Sequence, residues 1–283
     1  MITSPISKIL LEGREFLIKR DDLIDPFLAG NKYRKLYKLL KTPSNKLEKI
    51  ISYGGTQSNA MLAISAMCKS KGWEFVYYTK PISKTQKTAS YGNYFHSISL
   101  GMKHIEIEQE LYRDFISSLS LSIDAKTFLI DQGGAVQEAK EGLEALAQEI
   151  REANIDAKSL ATPSGTGTTA LFLALAMPEF KVYTTPCVGD INYLKKQMQA
   201  LHKLPDNLVI LEPSRKYHFA KPYPEFLEIY NKLLRTGVEF DLLYSPSMWL
   251  SLLSQTNEKI LYIHSGGVSG NESMLKRYAN LQM

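Results

Sequence analysis

The sequence predicts an α/β fold built on open, twisted parallel sheets covered on both faces. Short apolar runs end repeatedly in turns rich in glycine and serine, and helix-patterned stretches lie between them. That alternation of strand and helix is what parallel sheets require. The most polar of the turns follow strands, and in such sheets ligands sit outside the carboxyl ends of strands.

In chain order, the first strand-like run is Leu17-Ile18-Lys19-Arg20-Asp21-Asp22, and a helix opens at Lys32 with Asn31 as its N-cap. Residues 50–53 read as a strand leading into Gly54-Gly55, followed by a helix over 59–71. Further strands are expected at 75–78, 128–130, 160–162, 208–211 and 260–263, with helices over 139–150 and 169–177. No repeat or low-complexity linker interrupts the pattern. This divides the chain into a larger domain, 1–38 plus 138–283, and a smaller inserted α/β domain, 39–137, with the active site in the cleft between them.

Composition narrows the function classes. With 283 residues, 22% charged and 44% hydrophobic, the chain can bury a sizeable core. The net charge of +5 is scattered among acids, without the basic block that nucleic acid would need. Cys68 and Cys187 stand far apart and form no CxxC pair, so neither a disulfide framework nor a zinc site is expected. No apolar stretch has the form of a leader or a membrane span, and the reading is a cytoplasmic protein.

Four motifs carry the candidate chemistry. Lys32 lies in Gly30-Asn31-Lys32-Tyr33-Arg34-Lys35-Leu36. A lysine in the first turn of a helix sits beside the positive dipole end, which lowers its pKa and favours imine formation. A solvated lysine on a basic helix is the plainer alternative. Ser164-Gly165-Thr166-Gly167-Thr168-Thr169 joins a strand to an apolar helix. Its backbone N–H groups and hydroxyls suit a phosphate, although a capped tight turn fits too. Gly54-Gly55-Thr56-Gln57-Ser58-Asn59 also joins strand to helix, either as a simple cap by Asn59 or with Asn59 on a cofactor hydroxyl and Ser58 toward the substrate. In His264-Ser265-Gly266-Gly267, Ser265 can bond a pyridine nitrogen or mark an ordinary turn. The nucleotide patterns GxGxxG and Gly-Lys-Ser/Thr do not fit these loops. One lysine, a phosphate cradle and two polar glycine turns are together what a pyridoxal 5′-phosphate enzyme uses.

With these motifs in order, the chain resembles the fold-type II pyridoxal phosphate enzymes of the tryptophan synthase β-like fold. More closely, it resembles the aminocyclopropane-carboxylate deaminase/D-cysteine desulfhydrase family. The carrying residues are Lys19-Arg20-Asp21-Asp22, the Gly30 to Leu36 motif, Gly55-Thr56-Gln57-Ser58-Asn59, Thr166-Gly167-Thr168-Thr169 and Ser265-Gly266-Gly267. The resemblance implies Lys32 as the Schiff-base lysine, Asn59 on the ring oxygen and Ser58 at the substrate carboxylate or in catalysis. It also implies the loop of Thr166, Gly167, Thr168 and Thr169 on the phosphate, and Ser265 at the ring nitrogen. Leu243-Tyr244-Ser245-Pro246 resembles the family's late tyrosine loop, which makes Tyr244 a catalytic candidate. The chain departs from the family at Ala60, where histidine or glutamine is usual, and at Ser245, where deaminases carry glutamate. Phe219 falls where deaminases place a second tyrosine, with Tyr217 and His218 close by.

The resemblance therefore implies a homodimeric lyase/deaminase acting on a small amino acid, with D-cysteine desulfhydrase-like α,β-elimination ahead of cyclopropane ring opening. A pyridoxal phosphate-binding protein without efficient turnover, and a nucleotide-binding α/β protein, are the readings from other classes.

Overall fold

The computed structural model describes residues 3–28, 30–121, 123–131 and 139–281. The strands are β1 Ile6–Leu11, β2 Arg14–Lys19, β3 Lys49–Tyr53, β4 Glu74–Thr79, β5 Lys103–Glu106, β6 Thr127–Ile130, β7 Ser159–Ala161, β8 Lys181–Thr184, β9 Leu208–Ile210 and β10 Ile260–Ile263. The helices are α1 Gly30–Lys35, α2 Tyr37–Lys41, α3 Asn59–Lys71, α4 Lys84–Thr88, α5 Gly92–Ser99, α6 Tyr112–Ser118, α7 Ala139–Glu152, α8 Thr168–Ala176, α9 Ile191–Gln199, α10 Pro224–Leu234, α11 Ser245–Gln255 and α12 Asn271–Leu281.

Among the described residues the strands form two sheets. One runs in the order β1-β2-β10-β7-β8-β9, the other β5-β4-β3-β6. Every pairing is parallel except β1 with β2, an antiparallel hairpin that the sequence pattern did not announce. Its turn is Glu12-Gly13, both at positive φ (49° and 78°), which is the twist that a two-residue hairpin loop needs.

Strand β10 shows why the larger sheet reads as continuously apolar. Leu261 and Ile263 enter the core packed under α7 and α8, while Ile260 and Tyr262 enter the opposite core under α10 and α11. Successive side chains point to opposite faces, so a strand covered on both sides has no polar face. In the smaller sheet, Ile50, Phe75 and Tyr77 pack under α3, while Ile51 and Val76 meet Leu119, Phe115 and Ile116 on the other face.

Helix α1 corrects one expectation. It starts at Gly30, so Asn31 lies within the helix rather than capping it. The Asn31 N–H instead donates to Ser265 O at 3.2 Å. The helix is held from below by charge. Arg34, fully buried, donates Nε (2.9 Å) and Nη2 (2.8 Å) to Asp21, and Nη1 (2.6 Å) and Nη2 (3.0 Å) to Glu149. Lys19 Nζ reaches the same Glu149 at 2.9 Å and Ser4 O at 2.5 Å. Burial opposes the Arg34 charge, but the hydrogen bonds and attraction of Asp21 and Glu149 outweigh it and raise the Arg34 pKa. The expected turn at Gln132-Gly133-Gly134 and the expected domain boundary at 137/138 lie outside the described residues.

Truncating one member of this network leaves the others buried and uncompensated. Arg34→Ala is expected to lower stability by about 3–5 kcal/mol, read as a fall in the urea midpoint, whereas an exposed pair such as Lys140–Glu144 contributes at most about 1 kcal/mol.

Candidate active site

The loops at the carboxyl ends of β3, β7 and β10 meet the N-terminal half of α1 around one cavity of about 720 Å³. Lys32, Ser58, Asn59, Thr166, Gly167, Thr168, Thr169, Tyr244 and Ser265 all line it. A cavity of that size holds a cofactor together with a small substrate.

Two glycines permit the convergence. A Cβ on Gly30 (φ +60°) would fall 1.9 Å from Ser265 O, so only glycine lets α1 seat against the turn after β10. A Cβ on Gly267 (φ +88°) would fall 2.7 Å from Asn59 Nδ2. Thus Lys32, Ser265 and Asn59 are brought together by backbone contact rather than by long side chains.

Lys32 is half-buried, opening only onto the cavity, and burial lowers its pKa to about 8. The cause is desolvation. Lys35, three positions on and buried, lines the same cavity. Desolvation, and then the Lys32 charge, push its pKa well down. Lys35 stood in the sequence motif without an assigned part.

Ser58, not Asn59, is the N-cap of α3: its Oγ accepts from Met61 N at 3.3 Å. Asn59 Oδ1 accepts from Asn93 Nδ2 at 2.8 Å, which fixes the amide and leaves its Nδ2 donor on the Gly267 side. Asn93 is itself held by Gln57 O (3.0 Å) and Ser269 Oγ (2.9 Å), so a residue from α5 orients Asn59. No motif marked it.

The N-terminus of α8 is open. Gly167 (φ +78°) caps it with no side-chain hydrogen bond, and the buried Thr169 Oγ1 has no protein partner. Thr166 and Thr168 hydroxyls lie 3.0 Å apart, whereas Ser164 Oγ is occupied by Thr184 Oγ1 at 2.6 Å. A helix end with uncapped N–H groups and an orphan hydroxyl, facing a cavity, fits a phosphate. With the buried amine and the free Asn59 donor, the residues present fit pyridoxal phosphate.

On the far wall, Tyr244 stands at the start of α11, its N–H bonded to Asp241 at 2.6 Å. Burial, then Asp241 and Cys187, raise its pKa, so its hydroxyl stays protonated. Phe219 packs against it, its ring tilted by 53° with centroids 5.1 Å apart, and lines the cavity, while Tyr217 packs away against Tyr223 and Phe226. Ala60 also lines the cavity. Ser245 is turned inward, donating to Asp241 at 2.6 Å and accepting from Tyr262 at 3.3 Å.

No protein-family model matches the chain. Curated proteins do. A putative 1-aminocyclopropane-1-carboxylate deaminase of Thermotoga maritima is 25% identical over 286 residues, covering 91% of this chain and 90% of that protein. The D-cysteine desulfhydrase of Serratia proteamaculans is 26% identical over 289 residues, covering 90% and 87%. Among solved structures, an ACC deaminase homologue superposes with a TM-score of 0.76 at 21% identity over 98% of this chain and 94% of its own. A pyridoxal 5′-phosphate-dependent aspartate racemase gives 0.67 at 12% identity over 94% and 90%.

The fold is that of the fold-type II pyridoxal phosphate-dependent enzymes. Within that class its sequence is similar to proteins named as aminocyclopropane-carboxylate deaminases and D-cysteine desulfhydrases. It is a lyase/deaminase by class, and no helix among its described residues is long and apolar enough to cross a membrane.

The buried amine makes a quantitative expectation. In cofactor-free protein, labelling of Lys32 by a small amine reagent rises with pH to half its maximum near pH 8; a midpoint near 10.5 would mean that the amine is solvated.

Proposed function

We propose that the protein catalyses α,β-elimination on a small amino acid, most specifically D-cysteine, giving pyruvate, ammonia and sulfide. The observation that carries this is the pairing, across one cavity, of a buried low-pKa lysine with a protonated tyrosine. When bound, pyridoxal phosphate supplies the electron sink that acidifies the substrate Cα–H. The open end of α8, with Thr166, Gly167, Thr168 and Thr169, would hold its phosphate, and Lys35 lines the same cavity. Asn59 Nδ2 would donate to the ring oxygen, and Ser265 would meet the ring nitrogen with a neutral hydroxyl.

Lys32, as the free amine, removes the Cα proton; its lowered pKa keeps an unprotonated fraction available near neutrality. Ser58 holds the substrate carboxylate with the hydroxyl proton that its capping role leaves unused. Tyr244 gives a proton to the departing sulfur, for which a hydroxyl kept neutral by burial is suited. Ring opening of aminocyclopropane carboxylate is the weaker alternative. Phe219 brings no hydroxyl to the wall beside Tyr244, and Ser245, where deaminases carry glutamate, faces the core rather than the cavity.

We further read 39–137 as the smaller domain, inserted between 1–38 and 138–283. One sheet is drawn wholly from residues 49–130 and the other from residues outside that span, which supports the division.

The test is the visible spectrum of the holoenzyme with D-cysteine. The cofactor band shifts and pyruvate accumulates. Lys32→Ala lowers turnover by about 10³-fold or more, as loss of a general base does. Wild-type turnover by that variant would refute the assignment. Tyr244→Phe lowers kcat by about 10²-fold, because a proton donor contributes that much, and a change confined to KM would give Tyr244 a binding role instead.

A further inference from the structure

The segment 217–223 crosses the mouth of the cavity, and its apex is held in an unusual way. Ala220 has φ +60°, in the left-handed region that residues with a Cβ avoid. Such a conformation persists where surrounding contacts over-determine it. Two contacts hold it here: Lys221 N donates to His218 O at 3.1 Å, closing the turn around Ala220, and Arg277 Nη1, from α12, donates to Ala220 O at 2.9 Å. The two shoulders of the segment are tied independently. Tyr278 accepts from Tyr223 N at 3.2 Å and donates to Tyr223 O at 3.1 Å, and Tyr223 OH accepts from His218 N at 2.9 Å.

Phe219 sits at this apex. The residue is 43% exposed, yet its ring packs against Tyr244; Phe219, Ala220 and Arg277 all line the cavity. A large aromatic ring left that open to water is stabilised little by its own burial, so its place depends on the backbone beneath it. We propose that Arg277 is a positioning residue: by pinning Ala220 it holds Phe219 as the outer wall of the substrate pocket, and that wall limits the side chain of the amino acid that the cavity accepts. This rests on the cleft being the amino acid site, but not on D-cysteine being the substrate.

Two readouts test it, neither of them turnover. In the protein without added amino acid, amide exchange at His218, Lys221 and Tyr223 is followed in wild type, Arg277→Ala and Arg277→Lys. In the holoenzyme, the affinities of D-alanine, D-cysteine and D-phenylalanine are taken from the shift of the visible cofactor band. Arg277→Ala speeds exchange in the segment by about tenfold and lowers the preference for small over large amino acids by about tenfold, while Arg277→Lys keeps both near wild type. Phe219→Ala relaxes the size preference but leaves exchange in the segment unchanged, which separates the wall from its pin. Unchanged exchange in Arg277→Ala, or an unchanged size preference in Phe219→Ala, overturns the proposal. Absence of D-cysteine turnover alone would count against the reaction proposed above and leave this inference standing.

Discussion

The fold of the site depends on a buried ion cluster beneath α1. Asp21, Arg34, Glu149 and Lys19 come from the turn after β2, from α1, from α7 and from β2 itself. Each charge has partners in two directions, which is the condition under which buried charges are tolerated at all. Such clusters often add little net stability over an apolar replacement. What this one fixes is direction: Arg34 cannot meet both carboxylates unless α1 lies in one orientation, and Lys32 is two residues away on the same short helix. The close approach at Gly142, where a Cβ would fall 1.9 Å from Arg34 O, presses α7 against α1 from the same side.

That arrangement divides the labour between the two ends of the motif. Arg34 faces inward and is satisfied entirely by protein, while Lys32 and Lys35 face the cavity. A six-residue helix has little stability of its own. It survives because one face is clamped by charge and its first residue is pressed on the Ser265 turn. The lysine side chain is therefore delivered by packing among protein groups, which is what a preorganised site requires.

Strands β2, β3, β4, β6, β7, β9 and β10, helices α3, α7 and α8 and the four motif loops were legible in the sequence because each rests on local chemistry: apolar runs, glycine turns and hydroxyl-rich strand ends; β5, β8 and helices α9 to α12 were not read from it. The hairpin of β1 and β2 was not, because its turn uses Glu12 at positive φ, where Asn or Gly gives the usual signal. The start of α1 was misplaced because Gly30 reads as a loop residue, yet the contact that demands glycine there is with Ser265, more than two hundred residues away. Asn93 and Arg277 escaped for the same reason: each acts on a backbone or side chain far along the chain, and nothing in their own neighbourhoods differs from an ordinary helix. The sequence also could not choose among Tyr217, His218 and Phe219; packing of Tyr217 against Phe226 leaves Phe219 as the ring on the cavity wall.

The two cavity lysines also bear on how the site takes up an anion. Each is desolvated, and Lys32 further discourages the charge on Lys35. Without an anion, a second ammonium in this space is therefore costly, and the site sheds protons. A phosphate at the open end of α8 reverses the balance, because an opposite charge in a poorly solvated cavity is worth far more than in water. Cofactor binding and proton binding are then linked, and by reciprocity whatever favours the Lys35 charge favours the phosphate. In the proposed reaction Lys32 lies under the opposite demand, since it must be neutral to act on a carbonyl or on Cα–H. Burial would serve both: it lowers the pKa of the lysine proposed to react, and it would strengthen the attraction between the other lysine and an anion in the cavity.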